Sequence, residues 1–275
     1  MMTKTPFEPD VTIVMPIYKP NEDILKMVEK ALAEQKYNGK VTVIKTNKGG
    51  FGKTFNYGVE NAKTEIVISL HQDCVPVNEN WLRDLVAPLE DKDVVATVSK
   101  VELPYEYWRN FDAVGKILSA KEQMVITPAL DQKACANKRS ALLKVGLFDS
   151  DNFATAGEDY DMYLKLKKIG KIVYPDTKVY HYHWHNISNR FAKEAQLSNS
   201  FGALVRKHGT NIDHWYIGIL KSIPIIGWPI FLLQCKPLKI KHLTLVAIPL
   251  YLYINFLYCK NFWKGFFSGK QTKTI

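Results

Sequence analysis

Val11-Thr-Ile-Val-Met-Pro16-Ile-Tyr18 is a short apolar run, rich in β-branched residues, that stops at a proline. It reads as a buried strand. Asn21 can cap the helix that follows, which is predicted to run to about Glu34 with Ile24, Leu25, Val28 and Leu32 inward. Val41–Ile44 reads as a second strand, Gly49–Gly52 as a loop, and Thr54–Ala62 as a helix. Glu65–Leu70 is a third apolar strand, ending in His71-Gln72-Asp73, with a helix near Trp81–Leu89 and a strand at Val94–Val98 beyond it. Strands that alternate with helices predict an α/β, Rossmann-like, mostly parallel sheet flanked by helices, with ligands bound beyond the strands' carboxyl ends. The polar clusters after the first three strands would then meet in one crevice.

Charge divides the chain. Residues 1–205 are nearly neutral, with 27 basic against 26 acidic side chains, whereas residues 206–275 hold ten basic residues and Asp213 alone. Such asymmetry marks a segment that meets phosphate. Its apolar and aromatic content selects lipid over nucleic acid. Two apolar runs lie there, 215–235, interrupted by Lys221, Pro224 and Pro229, and 243–259. The second is about 17 residues long, near the lower limit for spanning a bilayer. Lys236, Lys239 and Lys241 separate the runs, and Lys260, Lys264, Lys270 and Lys273 follow them. Interfacial helices or a shallow hairpin account for this pattern; a third layer of core helices is the alternative. The four widely spaced cysteines, Cys74, Cys135, Cys235 and Cys259, form no C-x-x-C pair, which fits a reducing compartment. The first ten residues lack an apolar core, so no secretory signal is expected. Residues 104–133 are less periodic and could form a lid or an acceptor-side loop, with surface filler as the default reading.

Several motifs carry chemistry. In Asp149-Ser-Asp-Asn-Phe-Ala-Thr-Ala-Gly-Glu158-Asp159-Tyr-Asp161, two adjacent carboxylates open a helix just after a glycine. Tyr160, Tyr163, Leu164, Leu166 and Ile169 would form its inner face, with Gly170 as its stop. A carboxylate placed there can take a proton from a hydroxyl, although acids at a helix start also simply complement the dipole. Asp73, at a strand end, can hold a divalent cation that bridges two phosphates. His181, His183 and His185 alternate and would share one face of an extended segment. Lys48-Gly-Gly-Phe-Gly-Lys53-Thr54 matches the phosphate-cradling loop K-G-G-x-G-K-T. A strand and a helix precede that loop, however, and no Asp-rich magnesium site follows it.

Taken in order, these pieces resemble a family 2 glycosyltransferase of GT-A fold over roughly residues 11–209. The opening strand is similar to V-S-I-V-I-P-x-Y. Asn47 to Gly58 is similar to N-x-G-x-x-x-x-x-N-x-G, and this accounts for Asn56 and Gly58 as well as for the loop. His71-Gln72-Asp73 falls at the family's D-x-D, with His71 in place of the first acid. Val145-Gly-Leu-Phe148-Asp149 followed by Gly157-Glu158-Asp159 resembles G-G-F-D-E leading to E-D. His181 and His183 stand where a family histidine can complete the metal site. No D-D-G-S-x-D follows the second strand, so Asn47 is the nearest substitute for the acid that reads the nucleoside. No Q-x-x-R-W follows the acid pair, which implies transfer of a single sugar.

The resemblance implies an inverting transfer from a nucleotide-diphosphate sugar, with Asp159 as base and Glu158 shaping the site. Pro16, Tyr18, Asn47, Gly49, Asn56, Gln72 and Asp73 would hold the donor. Mg2+ or Mn2+ would sit on Asp73, His71 and His183, and a histidine ligand would favour Mn2+ and lower activity as pH falls through about 6.5. The acceptor would be a glycan or glycolipid, reached by residues 210–275 from the cytoplasmic face of a membrane, with residues 1–209 as the transfer domain and no nucleic acid as partner. The alternatives are a membrane-docked P-loop ATPase using Lys48–Thr54, or an inactive scaffold that keeps the fold.

Overall fold

The computed structural model describes residues 6–119, 129–154, 156–183, 187–233 and 243–272. In chain order its strands are β1 (Val11–Pro16), β2 (Val41–Thr46), β3 (Ile66–Leu70), β4 (Cys74–Pro76), β5 (Val94–Val98), β6 (Lys100–Glu102), β7 (Ala134–Lys138), β8 (Lys171–Val173) and β9 (Lys178–His181). The helices are α1 (Glu22–Ala33), α2 (Phe51–Asn61), α3 (Trp81–Val86), α4 (Tyr105–Trp108), α5 (Ala113–Ser119), α6 (Arg139–Lys144), α7 (Glu158–Leu166), α8 (Ile187–His208), α9 (Trp215–Lys221), α10 (Gly227–Leu233) and α11 (Leu243–Ser268). The chain forms two compact units. The first comprises residues 1–104, 122–149 and 159–183, and the second comprises 105–121, 150–158 and 184–275.

The first unit is a three-layer α/β sandwich. Its main sheet has the order β2-β1-β3-β7-β5-β8. β1 pairs in parallel with β2 (Val11↔Val41 to Pro16↔Thr46) and with β3 (Val11↔Ile66). β7 is inserted antiparallel to both β3 (Leu70↔Ala134) and β5 (Val98↔Cys135). Alternation along the central strands sends Ile13, Met15, Ile66, Ile68 and Leu70 to one face, against Val28 of α1 and Trp81, Leu82, Leu85 and Val86 of α3. Val14, Val67, Ala96 and Cys135 face the other way, against Phe55 and Val59 of α2, Leu142 of α6 and Met162 and Leu166 of α7. Each such fully buried side chain contributes about 1.5–3 kcal/mol of transfer free energy. The edge strand β2 is different: Val41 and Val43 are exposed. α1 begins as expected, with the Asn21 carboxamide oxygen accepting from the amides of Asp23 (3.1 Å) and Ile24 (3.3 Å). A small second sheet, β4-β9-β6, pairs Cys74 with His181 and Lys100 with Lys178.

The second unit is helical. The first apolar run breaks into the short helices α9 and α10, with Pro224 in the break between them. The second run extends past residue 259, as a single helix to Ser268 with Pro249 inside it. Among the described residues α11 is the one helix long and apolar enough to cross a membrane by length and composition, over Leu245–Ser268. Its first half exposes Leu245, Val246, Ile248, Tyr253 and Phe256. Its second half packs on α8 at backbone contact: a Cβ on Gly202 would lie 2.0 Å from the Phe262 carbonyl oxygen, and one on Gly265 would lie 1.8 Å from that of Asn199. Of residues 104–133, Tyr105–Trp108 and Ala113–Ser119 form α4 and α5; residues 120–128 lie outside the described residues, as do Cys235, His185, Lys236, Lys239, Lys241 and Lys273.

In the first unit α2 crosses β1 at Gly58, where an added Cβ would lie 2.4 Å from Val14 Cγ2. Gly58→Ala should therefore lower the urea midpoint by an amount worth about 1–3 kcal/mol, the usual cost of overpacking. Adding Val14→Ala should return part of that loss, and a double mutant that shows only additive losses would contradict the contact.

Candidate active site and metal centre

The site residues come from loops at one edge of the main sheet. β3 runs out at Leu70, and the chain turns at once, the Cys74 amide donating to the His71 carbonyl at 3.1 Å. His71 is held by its amide on the Lys133 carbonyl (2.9 Å), which extends the β3–β7 ladder by one rung. The turn projects Gln72 and Asp73. Gln72 fastens the loop after β1: its Oε1 accepts from the Tyr18 amide (2.8 Å) and its Nε2 donates to the Tyr18 carbonyl (2.9 Å). With both backbone groups fixed, Tyr18 stands 66% exposed, with the Lys19 ammonium 5.5 Å from the centre of its ring. After β2, Asn47 Oδ1 accepts from the Gly49 amide (2.9 Å), closing a turn just before α2.

Asp73 meets two histidines at the end of β9. Its Oδ2 is 3.4 Å from His181 Nε2 and 3.5 Å from His183 Nδ1. The two imidazoles stack at 5.4 Å between centroids and 16° between planes. The backbone fixes this approach, because the Tyr182 amide donates to the Asp73 carbonyl at 2.9 Å. Burial pushes the Asp73 carboxyl up, but hydrogen bonds from His181 and His183 outweigh it and hold the group well below the usual carboxylate range. It is therefore an anion, as a ligand must be. Asp73, Cys74 and His181 bring their ligand atoms within 4.8 Å of one another. Burial pushes the Cys74 thiol well up, so it stays protonated. The usable donors are then one carboxylate oxygen and two imidazole nitrogens, a set that fits an oxygen- and nitrogen-seeking divalent ion such as Mn2+ better than a thiolate-bound one.

His71 takes a different place. Its ring lies against Phe51 (5.3 Å between centroids), and burial lowers its pKa to about 4. His71 is thus neutral across the range near 6.5 where its protonation was expected, and an acid limb there cannot arise from it. Asn56 is also committed: its Nδ2 donates to the Phe148 carbonyl and its Oδ1 accepts from the Phe148 amide, both at 2.9 Å. It fastens the start of the segment that leads to Glu158 and Asp159.

Asp159 lies in the first turn of α7, its Oδ1 accepting from the Tyr160 amide (2.8 Å). Glu158 beside it is buried. Below them Asp161 is fully buried and paired with Lys165 at 2.8 Å. Gly157, at φ +87°, supplies a backbone conformation that a side chain would strain. Sequence reasoning missed Asp131 and Lys133, which form an ion pair of 2.7 Å just before β7. Burial pulls Lys133 down, but Asp131, and more weakly Asp159, raise it, so it stays charged. The Lys133 cation thus feels both acids. Only the pairing of β7 with β3 reveals it.

The phosphate-loop match does not produce a phosphate loop. Thr54 is buried, and its Oγ1 accepts from the Lys48 amide (2.9 Å). The Lys48 ammonium lies 4.2 Å from the centre of the Tyr57 ring. The hydroxyl that would face a magnesium ion is buried and turned back onto the loop.

Asp73→Asn and His181→Ala should each weaken Mn2+ binding in the presence of a nucleoside diphosphate by roughly 10–100-fold, the range that loss of even an outer-shell partner produces. Electron paramagnetic resonance of free Mn2+ measures this directly. His71→Ala separates the two candidate ligand sets: a loss greater than that in His181→Ala would restore His71 as ligand.

Residues 20–146 match the family model "Glycosyl transferase family 2". No curated protein matches the sequence. Among solved structures, the mannosyltransferase PcManGT from Pyrobaculum calidifontis, in complex with GDP-Man and Mn2+, has a TM-score of 0.56 at 17% identity, over 94% of this chain and 88% of that one. GalNAc-T7 with UDP, GalNAc and Mn2+ has a TM-score of 0.55 at 14% identity, over 78% of this chain and 52% of that one. At such identities the likeness is one of fold. Residues 20–146 thus resemble glycosyl transferase family 2, and the chain has the GT-A fold that its opening strand and its Glu158–Asp159 segment implied.

Proposed function

We propose that this chain transfers one sugar, with inversion and without processive repetition, from a nucleotide-diphosphate sugar to an acceptor hydroxyl. The observation that carries the reading is the convergence of Asp73, His181 and His183 in the same unit as Asp159, on a chain whose residues 20–146 match the glycosyl transferase family 2 model. The GDP-Man, UDP and Mn2+ named with the two similar structures support the donor class and the metal. Asp73, His181 and His183, with His71 nearby, would hold Mg2+ or Mn2+, which would neutralise charge on the departing diphosphate.

The remaining steps belong to the protein's own groups. Tyr18 offers its exposed ring as a stacking face for the base, beside Pro16, while Gln72 keeps that loop in place. Asn47 and Gly49 form the turn that approaches the nucleoside. Asp159 takes the proton of the acceptor hydroxyl as its oxygen attacks the anomeric carbon. The bond from that carbon to the diphosphate oxygen breaks on the opposite face, and its electron pair leaves with the nucleotide. Glu158 shapes the floor of the site. Lys133, charged between Asp131 and Asp159, offsets the crowding of anions there.

The acceptor is a glycan carried on lipid, presented at the cytoplasmic face of a membrane. Support comes from α11, from the exposed Ile225, Ile226, Trp228 and Leu233 around α10, and from the ten basic residues against one acid beyond position 205. Residues 1–209 carry the transfer and 210–275 the membrane contact.

Purified protein incubated with labelled UDP-, GDP- and dTDP-sugars and membrane lipids should give labelled glycolipid. Asp159→Asn should lower kcat by about 10²–10⁴-fold, the contribution of a general base, while donor binding by calorimetry stays intact. Equal turnover in both proteins would remove Asp159 from this role. Full activity in excess EDTA would exclude the metal. Donor binding without transfer to any acceptor would instead mark an inactive scaffold.

A further inference from the structure

The acid pair follows the segment Ser150–Gly157, whose described residues belong to no strand, so its position depends on what it leans against. It leans on α8. Phe153 is fully buried, and the Lys207 ammonium lies 5.2 Å from the centre of its ring. At Gly157 an added Cβ would lie 3.0 Å from Ser200 Cβ, 3.2 Å from Phe153 Cδ1 and 3.4 Å from Leu204 Cδ1. The beginning of the segment is held by residues more than a hundred positions away. The Gln271 amide donates to the Asn152 carbonyl at 2.7 Å. Its neighbour Thr272 is held in turn by α8: the Thr272 amide donates to Asn199 Oδ1 (2.7 Å), and Asn199 Nδ2 donates to Thr272 Oγ1 (3.0 Å) and to the Asn261 carbonyl of α11 (3.2 Å). Asn199 is fully buried. Its carboxamide therefore ties α8, α11 and the stretch after α11 together at one point.

We propose that Gln271–Thr272 is a positioning strut for the transfer site. It fixes the Asn152 end of the segment while α8 fixes the Gly157 end, and so it sets where Glu158, and Asp159 next in the chain, present their carboxylates. This rests on Asp159 acting as the base. A base displaced by about 1 Å loses on the order of 10²-fold in rate, whereas the donor, held by Tyr18, Asn47 and Asp73, loses nothing. The strut acts through backbone N–H groups, so it is sensitive to proline and indifferent to conservative side-chain change.

The test uses the full chain, Thr272→Ser, Thr272→Pro, Gln271→Pro and a variant lacking residues 271–275. Three quantities are read: kcat for transfer, the Kd of the nucleotide-sugar with Mn2+, and amide exchange of the 150–157 peptide. Both proline variants and the deletion should lower kcat about 10–100-fold, leave Kd within about twofold, and speed exchange of that peptide alone. Thr272→Ser, which keeps both hydrogen-bonding groups, should match wild type. Wild-type kcat in the proline variants and the deletion would overturn the strut, and so would a loss of kcat accompanied by equal loss of Kd and of exchange protection throughout the chain. If the deletion fails to fold, the two proline variants still decide. Absence of transfer by the wild-type protein itself would instead overturn the proposed function, independently of the strut.

Discussion

The antiparallel insertion of β7 between β3 and β5 is the constraint on which the site depends. In a purely parallel sheet, the residues before a strand lie at the opposite edge from those after its neighbour. Because Leu70 pairs with Ala134 and the ladder runs backwards from there, residues 131–133 arrive at the same edge as residues 71–73. This places the Asp131–Lys133 ion pair beside the turn that carries Asp73. Reversing one strand thus converts two distant loops into one wall and adds a cation to a region otherwise rich in acids. The register also fixes the depth of the turn, since His71 takes the next rung on the Lys133 carbonyl.

Loops at that edge lack strand partners, and carboxamides supply the missing rungs. Gln72 gives one donor and one acceptor to the backbone of Tyr18, and Asn56 does the same for Phe148. A carboxamide mimics a peptide group, so each reproduces a pair of β-ladder bonds at about 0.5–1.5 kcal/mol per bond. An isosteric acid cannot do this, because an ionised carboxylate has no donor for the carbonyl. The motif position of Asn56 therefore reflects scaffolding of the acid segment, and that of Gln72 reflects scaffolding of the β1 loop.

Much of this architecture was legible because the signals were local. The β-branched runs at Val11–Met15 and Val94–Val98 and the Asn21 cap each declare themselves within a few residues, and the structure has them where they were expected. β7 was not legible: Ala-Cys-Ala-Asn-Lys carries no β-branched or aromatic residue, and it is a strand only because β3 and β5 flank it. The same gap hid Lys133, whose partner two residues away reads as an ordinary surface pair. The histidine alternation correctly suggested a shared face for His181 and His183, but β9 ends at His181, and it is Asp73 that draws both rings together. Helix α11 outran its apolar pattern because Lys260 and Lys264 project outward while Asn261, Phe262 and Gly265 face α8.

The Lys48–Thr54 segment shows why letters alone do not make a phosphate site. A cradle needs consecutive amides aimed at one point and a hydroxyl left over for the metal. Here the Lys48 amide points at Thr54 and the Gly49 amide at Asn47, so two of the donors are consumed internally. Gly50 adopts φ 126°, and the helix begins with Phe51, whose ring stacks on Phe55 and meets Phe148 edge-on. An aromatic at that position anchors the loop to the core through α2 rather than leaving it open to a ligand. The glycines provide a sharp entry to α2, and the segment's contribution to the site is the placement of Asn56, one turn further along, against the backbone that leads to the acid pair.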